Sequence, residues 1–120
     1  MSTVTALTWE QVNSWRVARH YLRERAAPAQ LLDMVTQIGG LHAQMLSAAE
    51  LAAWARVDGL APGAIGDALW VGRSLVKTWC MRGTLHLLPA REFPLYVAAL
   101  RTRTSYQAAS WLKYHGLTAA

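Results

Sequence analysis

Apolar and polar positions follow a helical period along most of this chain. Thr8-Trp9-Glu10-Gln11 is a capping box, and it predicts a first helix running to about Arg25. Val12, Trp15, Ala18 and Leu22 give that helix an apolar face, and Arg16, Arg19, His20 and Arg23 form an adjoining stripe. Pro28 suits the first turn of a second helix carrying Leu31, Leu32, Val35 and Ile38. Gly39-Gly40 ends it, because glycine accepts the left-handed cap conformation. Beyond the short link Leu41-His42-Ala43-Gln44, a second capping box, Ser47-Ala48-Ala49-Glu50, predicts a third helix with Leu51, Trp54 and Ala55, closed by Asp58-Gly59. Pro62 opens a fourth through Ile65, Leu69 and Trp70.

The period then changes. Val76, Thr78, Trp79 and Cys80 suit a strand between Leu75 and Arg82, Arg82-Gly83 makes a turn, and Thr84 to Leu88 returns as a second strand ended by Pro89. Two more helices follow, one with Phe93, Tyr96, Val97 and Leu100, the other with Tyr106, Ala109 and Leu112 and a Gly116 cap. The expected fold is mainly α: a winged helix, meaning a helix-turn-helix plus a two-stranded β-hairpin wing, followed by further helices. Residues 1–7 read as a disordered N-terminus, 8–89 as the winged-helix domain, and 90–120 as the truncated start of a helical segment. Helical bundles with an incidental hairpin share this order of elements.

Composition sharpens the picture in two ways. Apolar residues make up 53% with glycine left out, above the roughly 45–50% usual even with glycine counted. Either the core is unusually rich, or part of the apolar surface expects a partner; the abrupt ending Leu117-Thr118-Ala119-Ala120 favours the second. The net charge is +5, and ten of the twelve cations are arginines, the better residue for bidentate phosphate and base-edge contacts. Such a balance fits a polyanionic partner, although many basic proteins bind no nucleic acid. Arg73, Lys77, Arg82 and His86 fall in the hairpin region, which suits a phosphate-facing wing. The Arg16 stripe reads either as a solvated face or as a phosphate contact.

The single cysteine, Cys80, excludes an intrachain disulfide, and the N-terminus lacks the layout of a signal peptide. A cytoplasmic location is expected, with no membrane partner. His20, His42, His86, His115 and Cys80 lack metal-ligand spacing, so no metal is expected. Neither a phosphate-cradling glycine loop nor a Ser-His-Asp set is present.

Two stretches carry more than a pattern: Gly39-Gly40-Leu41-His42-Ala43-Gln44, and Leu75-Val76-Lys77-Thr78-Trp79-Cys80-Met81-Arg82-Gly83-Thr84-Leu85-His86-Leu87. From about Thr8 to its end, the chain resembles the AlkZ-type DNA glycosylases, a family of winged-helix DNA-binding proteins; Met81-Arg82-Gly83-Thr84-Leu85-His86 is the most specific part. The resemblance implies a longer protein of tandem winged helices plus a β-rich part, wrapped around duplex DNA. It would remove bulky N7-alkylated purines, crosslinks included, without cutting the backbone and without a cofactor. The family motif is usually Gln, a small or aliphatic residue, then Gln; here His42 takes the first place, as in some members, and Gln44 keeps the second. The departure leaves substrate choice open.

That motif makes chemical sense. N7-alkylation charges the guanine, which is then already a good leaving group. The enzyme needs chiefly to place a water and stabilise an oxocarbenium-like sugar. Gln44 can orient a water through its amide, which holds donor and acceptor together. His42 can accept the water's proton near neutral pH, or it merely satisfies a backbone carbonyl at the Gly39-Gly40 turn. His86, between Leu85 and Leu87, is either a hydrogen-bonded core residue or a DNA contact, and Arg82 at the turn is the better candidate for DNA. The rival readings are a non-enzymatic winged-helix binder, such as a transcriptional regulator, and an inactive fragment. The 120-residue chain alone is expected to be inactive, its missing C-terminal part being needed.

Overall fold

A computed structural model describes residues 6–103 and 108–118. The capping box forms as read: the Gln11 N–H donates to Thr8 Oγ1 at 3.2 Å, and the Thr8 N–H to Gln11 Oε1 at 2.9 Å. Helix α1 spans Trp9–Arg19 and closes well before Arg25. Its stop is Tyr21, which takes the left-handed conformation at φ 57°. The Leu22 N–H reaches back to Val17 O and the Tyr21 N–H to Ala18 O, both at 3.1 Å, so two terminal carbonyls are satisfied. Glycine usually holds that position, and a tyrosine there costs roughly 1–2 kcal/mol, so no sequence signal marked the stop. Its half-buried ring packs on the core.

Pro28–Gln30 forms a 3-10 turn leading into α2, Leu31–Ile38, whose Met34 and Val35 are fully buried. Gly39 ends α2 at φ 77°. Gly40, at φ 100°, lies so close to a neighbouring strand that a Cβ would sit 2.8 Å from Leu88 Cδ2 and 3.2 Å from the Leu87 carbonyl oxygen. The expected link after it is instead a short strand, β1, Leu41–His42. Helix α3 spans Leu46–Trp54 with Met45 at its N-cap. Ser47 therefore lies inside the first turn, and the second capping box does not form. Helix α4, Ala64–Trp70, begins two residues after Pro62, with left-handed Gly63 at its N-cap.

Strands β2, Leu75–Trp79, and β3, Leu85–Pro89, make the expected hairpin. Its turn places Arg82 at φ 56° and Gly83 at φ 70°, the pair of positive values that a tight hairpin turn demands. The sheet has three strands, not two: its order is β1-β3-β2, antiparallel throughout. A two-residue strand is too short to show a period of its own, and its partner lies some 45 residues on, as in the pair Leu41↔Leu87.

The core under this sheet gathers Leu41, Ala43, Leu75 and Leu87 with Met34, Val35, Ala49, Ala53, Ile65 and Leu69 from the helices and Val57 from the connection after α3. Much of it is alanine, which lets backbones approach closely and leaves the large aromatics outside. Trp9, Trp15, Trp70 and Trp79 are each at least 62% exposed, although Trp15 and Trp70 fall at apolar positions of the helical pattern. The apolar surplus therefore lies largely on the surface.

A 3-10 turn at Ala90–Glu92 leads into α5, Phe93–Leu100. Arg91 pairs with Asp33 at 2.9 Å and Thr36 donates to Glu92 at 2.5 Å, which ties the start of α5 to α2. Helix α6, Ala109–Tyr114, ends at left-handed Gly116 as expected; Tyr106 and residues 1–5 lie outside the described residues.

The two glycines after α2 should respond differently to alanine. Gly39→Ala meets no atom within 4 Å, so its cost should be the left-handed backbone alone, roughly 1–2 kcal/mol. Gly40→Ala adds overpacking of about 1–3 kcal/mol against β3 and should be clearly the worse in urea denaturation; equal losses would contradict this account of the turn.

Candidate active site

The Gly39-Gly40 turn delivers β1 onto the open edge of β3. The pairing continues past β1, because the Ala43 N–H donates to the Leu85 carbonyl at 2.8 Å. Extended backbone alternates sides, and the burial follows: Leu41 and Ala43 are buried, His42 and Gln44 exposed. The motif is thus a strand whose middle residue anchors it in the core while the two flanking side chains face outward.

Both outward side chains meet β3. Gln44 Oε1 accepts from the Leu85 N–H at 3.4 Å, a long bond that turns the amide oxygen toward the strand. His42 is the cross-strand partner of His86, with the rings perpendicular (85°) and their centroids 5.5 Å apart. His86 is 6% exposed, and its Nδ1 lies 3.0 Å from the Thr84 carbonyl oxygen. A carbonyl only accepts, so Nδ1 carries the proton. Buried beside His42 and bonded to the backbone, His86 has the surroundings of the first of its two readings, a hydrogen-bonded core residue.

The other expected contacts divide by element. Arg73, Lys77 and Arg82 are strung along β2, before, within and after it, and β2 is an edge strand. Arg16 stands on α1, a different element. All four are exposed and make no hydrogen bond or ion pair among the described residues. Other arginines are occupied. Arg25 binds the carbonyls of Trp54 and Val57 and pairs with Asp58. Arg56 caps Ala52, Arg103 caps Cys80, Arg23 reaches Ser14, and Arg91 joins Asp33. Arg73 and Arg82 also hold positive φ values of 49° and 56°. Strained backbone beneath an unpartnered cation is a feature that sequence reading missed, and it accompanies functional positions more often than chance.

A cavity of about 470 Å³ opens beside the hairpin turn, lined by Trp79, Cys80, Gly83, Leu100, Arg103, Trp111 and His115. Cys80 is buried there, and neighbouring Tyr96 has its hydroxyl pKa raised by burial first and by Glu92 second. Among the described residues no three His, Cys, Asp or Glu side chains gather as a metal site, and no helix is long and apolar enough to cross a membrane.

The profile described as DNA glycosylase AlkZ-like matches residues 35–119, which hold the whole of β1, the hairpin and both motifs. The chain belongs to the AlkZ-like DNA glycosylase family. Within that AlkZ-like family it is 37% identical, over 116 residues, to an interstrand DNA cross-link repair glycosylase of Streptomyces sahachiroi. It spans 92% of itself and 29% of that relative, so it corresponds to under a third of the relative's length. The solved structure of the Streptomyces sahachiroi DNA glycosylase AlkZ superimposes with a TM-score of 0.81 at 34% identity, covering 95% of this chain and 30% of that one.

The sorting of arginines can be tested in this AlkZ-like chain directly. Arg25→Ala removes bonds to two carbonyls and one carboxylate and should cost about 1–2 kcal/mol of stability. Arg16→Ala, Arg73→Ala and Arg82→Ala should each leave the urea midpoint nearly unchanged, since none of these side chains has a partner among the described residues. A large loss at Arg16 would mean that it, too, is structural.

Proposed function

We propose that this segment is the DNA-binding and catalytic N-terminal part of a monofunctional DNA glycosylase that hydrolyses the N-glycosidic bond of bulky N7-alkylated purines in duplex DNA. The observation that carries the reading is the alternation at β1. His42 and Gln44 reach solvent from one side of a strand that is anchored through Ala43 and paired with β3. The name of the Streptomyces sahachiroi relative, an interstrand cross-link repair glycosylase, supports the same chemistry.

On this reading the roles differ. Gln44 has its oxygen held by Leu85, which leaves its NH₂ donors to hold the oxygen of the attacking water. His42, whose ring makes no hydrogen bond among the described residues, accepts the water's proton. Water oxygen then bonds to the sugar C1′ as the C1′–N7-alkylpurine N9 bond breaks. The base leaves with the bonding electrons, which neutralise its charge, so neither a strong acid nor a cofactor is required.

The fold belongs to the same proposal. In the order α2, β1, α3, α4, β2, β3, with β1 closing the sheet beside the hairpin, residues 8–89 read as a winged helix and the hairpin as its wing. Arg73, Lys77 and Arg82 along the edge strand, with Arg16 on α1, hold phosphates. The exposed tryptophans are covered by the remainder of a longer protein, whose activity needs both parts.

Single-turnover release of an N7-alkylguanine from duplex DNA by the full-length protein tests the assignment. His42→Ala and Gln44→Ala should each slow release by roughly 10²–10⁴ while leaving DNA affinity nearly intact, because the lost interaction belongs to the transition state. His42→Gln restores the commoner family motif and should keep substantial activity. Wild-type rates in both alanine variants would favour the non-enzymatic DNA binder. The wing is tested separately: Arg82→Ala should weaken binding across all sequences and make log K less salt-dependent by about 0.9, the slope of one phosphate contact. An unchanged slope would remove Arg82 from the interface.

A further inference from the structure

We infer that His86 is a positioning residue for catalysis: it fixes the ring of His42 by an edge-to-face contact and is itself fixed by the Thr84 carbonyl. The inference rests on the proposed role of His42 and goes beyond it.

Three observations converge. First, register: His42 and His86 are direct cross-strand partners, and Thr78 is opposite His86 on β2, so the three form one row across the sheet. Side chains directly opposite in an antiparallel pair stand about 4.5–5.5 Å apart at Cβ, so contact is imposed by pairing. Second, restraint: the His86 ring is 6% exposed, and its Nδ1–H···O bond to Thr84 defines both its rotation and its tautomer. Third, need: His42 is exposed and bonded to no described residue, so His86 supplies the ring contact that orders it. The perpendicular arrangement at 5.5 Å is the one the positive edge and negative face of aromatic rings prefer.

The consequence is a chain of restraint that ends at the reacting water. Thr84 belongs to the hairpin turn, where its N–H bonds to the Met81 carbonyl. Turn geometry therefore passes through His86 to His42, while Leu85, the residue between, holds Gln44. Consecutive residues of one strand set both members of the catalytic pair. A general base must be aimed, and displacement of about 1 Å can cost a factor of 10².

The experiment is a double-variant cycle in single-turnover excision by the full-length protein, read together with DNA affinity and thermal melting. His86→Ala should slow release by roughly 10–100-fold at unchanged DNA affinity. His86→Phe, which keeps an aromatic edge against His42 but cannot bond Thr84, should recover part of that loss. In a His42→Ala background, neither change should slow release further, because there is no ring left to aim. Equal rates for His86→Ala and His86→Phe, additive losses in the His42→Ala background, or a loss that only tracks the unfolded fraction would each overturn the inference. Should His42→Ala itself excise at the wild-type rate, the catalytic reading fails first, and the His86 inference falls with it. If His42→Ala is inactive while His86→Ala matches wild type, the catalytic reading stands and His86 is purely structural.

Discussion

β3 is the described strand with neighbours on both sides, and the rest of the structure is arranged by what touches it. Its backbone is paired to β2 on one edge and to β1 on the other. Four of its five residues are buried, Leu87 and Leu88 completely. The approach of β1 is eased by Gly40, where a Cβ would have to displace Leu88 Cδ2 and would press on the Leu87 carbonyl. That one close approach determines where the chain enters the sheet. Through the period of two it then determines that Leu41 and Ala43 face the core and His42 and Gln44 do not. A slip of one residue would bury both polar side chains and expose both anchors, so the outward placement of His42 and Gln44 depends on a packing constraint at the glycine before them.

Elsewhere the fold tolerates strain at defined points. Tyr21, Arg73 and Arg82 all sit in the left-handed region without being glycine, at roughly 1–2 kcal/mol each. Tyr21 is offset by ring packing on the core and by the two hydrogen bonds that close α1. Arg82 is offset by the hydrogen bonds of its turn, Gly83 N–H to the Cys80 carbonyl and Thr84 N–H to the Met81 carbonyl, while neither arginine's side chain has a partner among the described residues. Both flank β2, where the chain enters and leaves the hairpin, and both project a free guanidinium from a backbone that is not easily re-aimed. For a phosphate contact this is useful, since less conformational freedom remains to be lost on binding.

How much was legible in the sequence follows from the range of each signal. The capping box at Thr8, the stop at Gly39-Gly40, the Arg82-Gly83 turn and the Gly116 cap are local, and they were read correctly. The stop at Tyr21 was missed because tyrosine carries no propensity for it. Ser47-Ala48-Ala49-Glu50 has the letters of a capping box, yet Met45 takes the N-cap because β1 hands the chain over earlier. Strand β1 itself could not be seen, since two residues have no period and the partner is remote. That omission hid the pairing of His42 with His86, although each histidine had been singled out separately. The resemblance to AlkZ-type glycosylases supplied His42 and Gln44 as a pair; only the sheet explains why that pair stands where it does.

The charge of the chain also changes meaning once the fold is known. A net of +5 counts every arginine alike, but Arg25, Arg56 and Arg103 spend their donors on backbone carbonyls and Arg91 on carboxylates. Those guanidiniums close helix ends and tie loops to strands, a task that suits a planar group with five donors. The cations left for a polyanion among the described residues are fewer, and three of them stand before, within and after a single edge strand. An extended strand advances about 3.3 Å per residue, so β2, Leu75–Trp79, is roughly 13 Å long, with Lys77 at its middle, Arg73 just before it and Arg82 in the turn beyond it. On the proposed function, cations so placed would follow a phosphate backbone rather than read bases, and specificity for damage would rest on the charged leaving group and on the aim of His42 and Gln44.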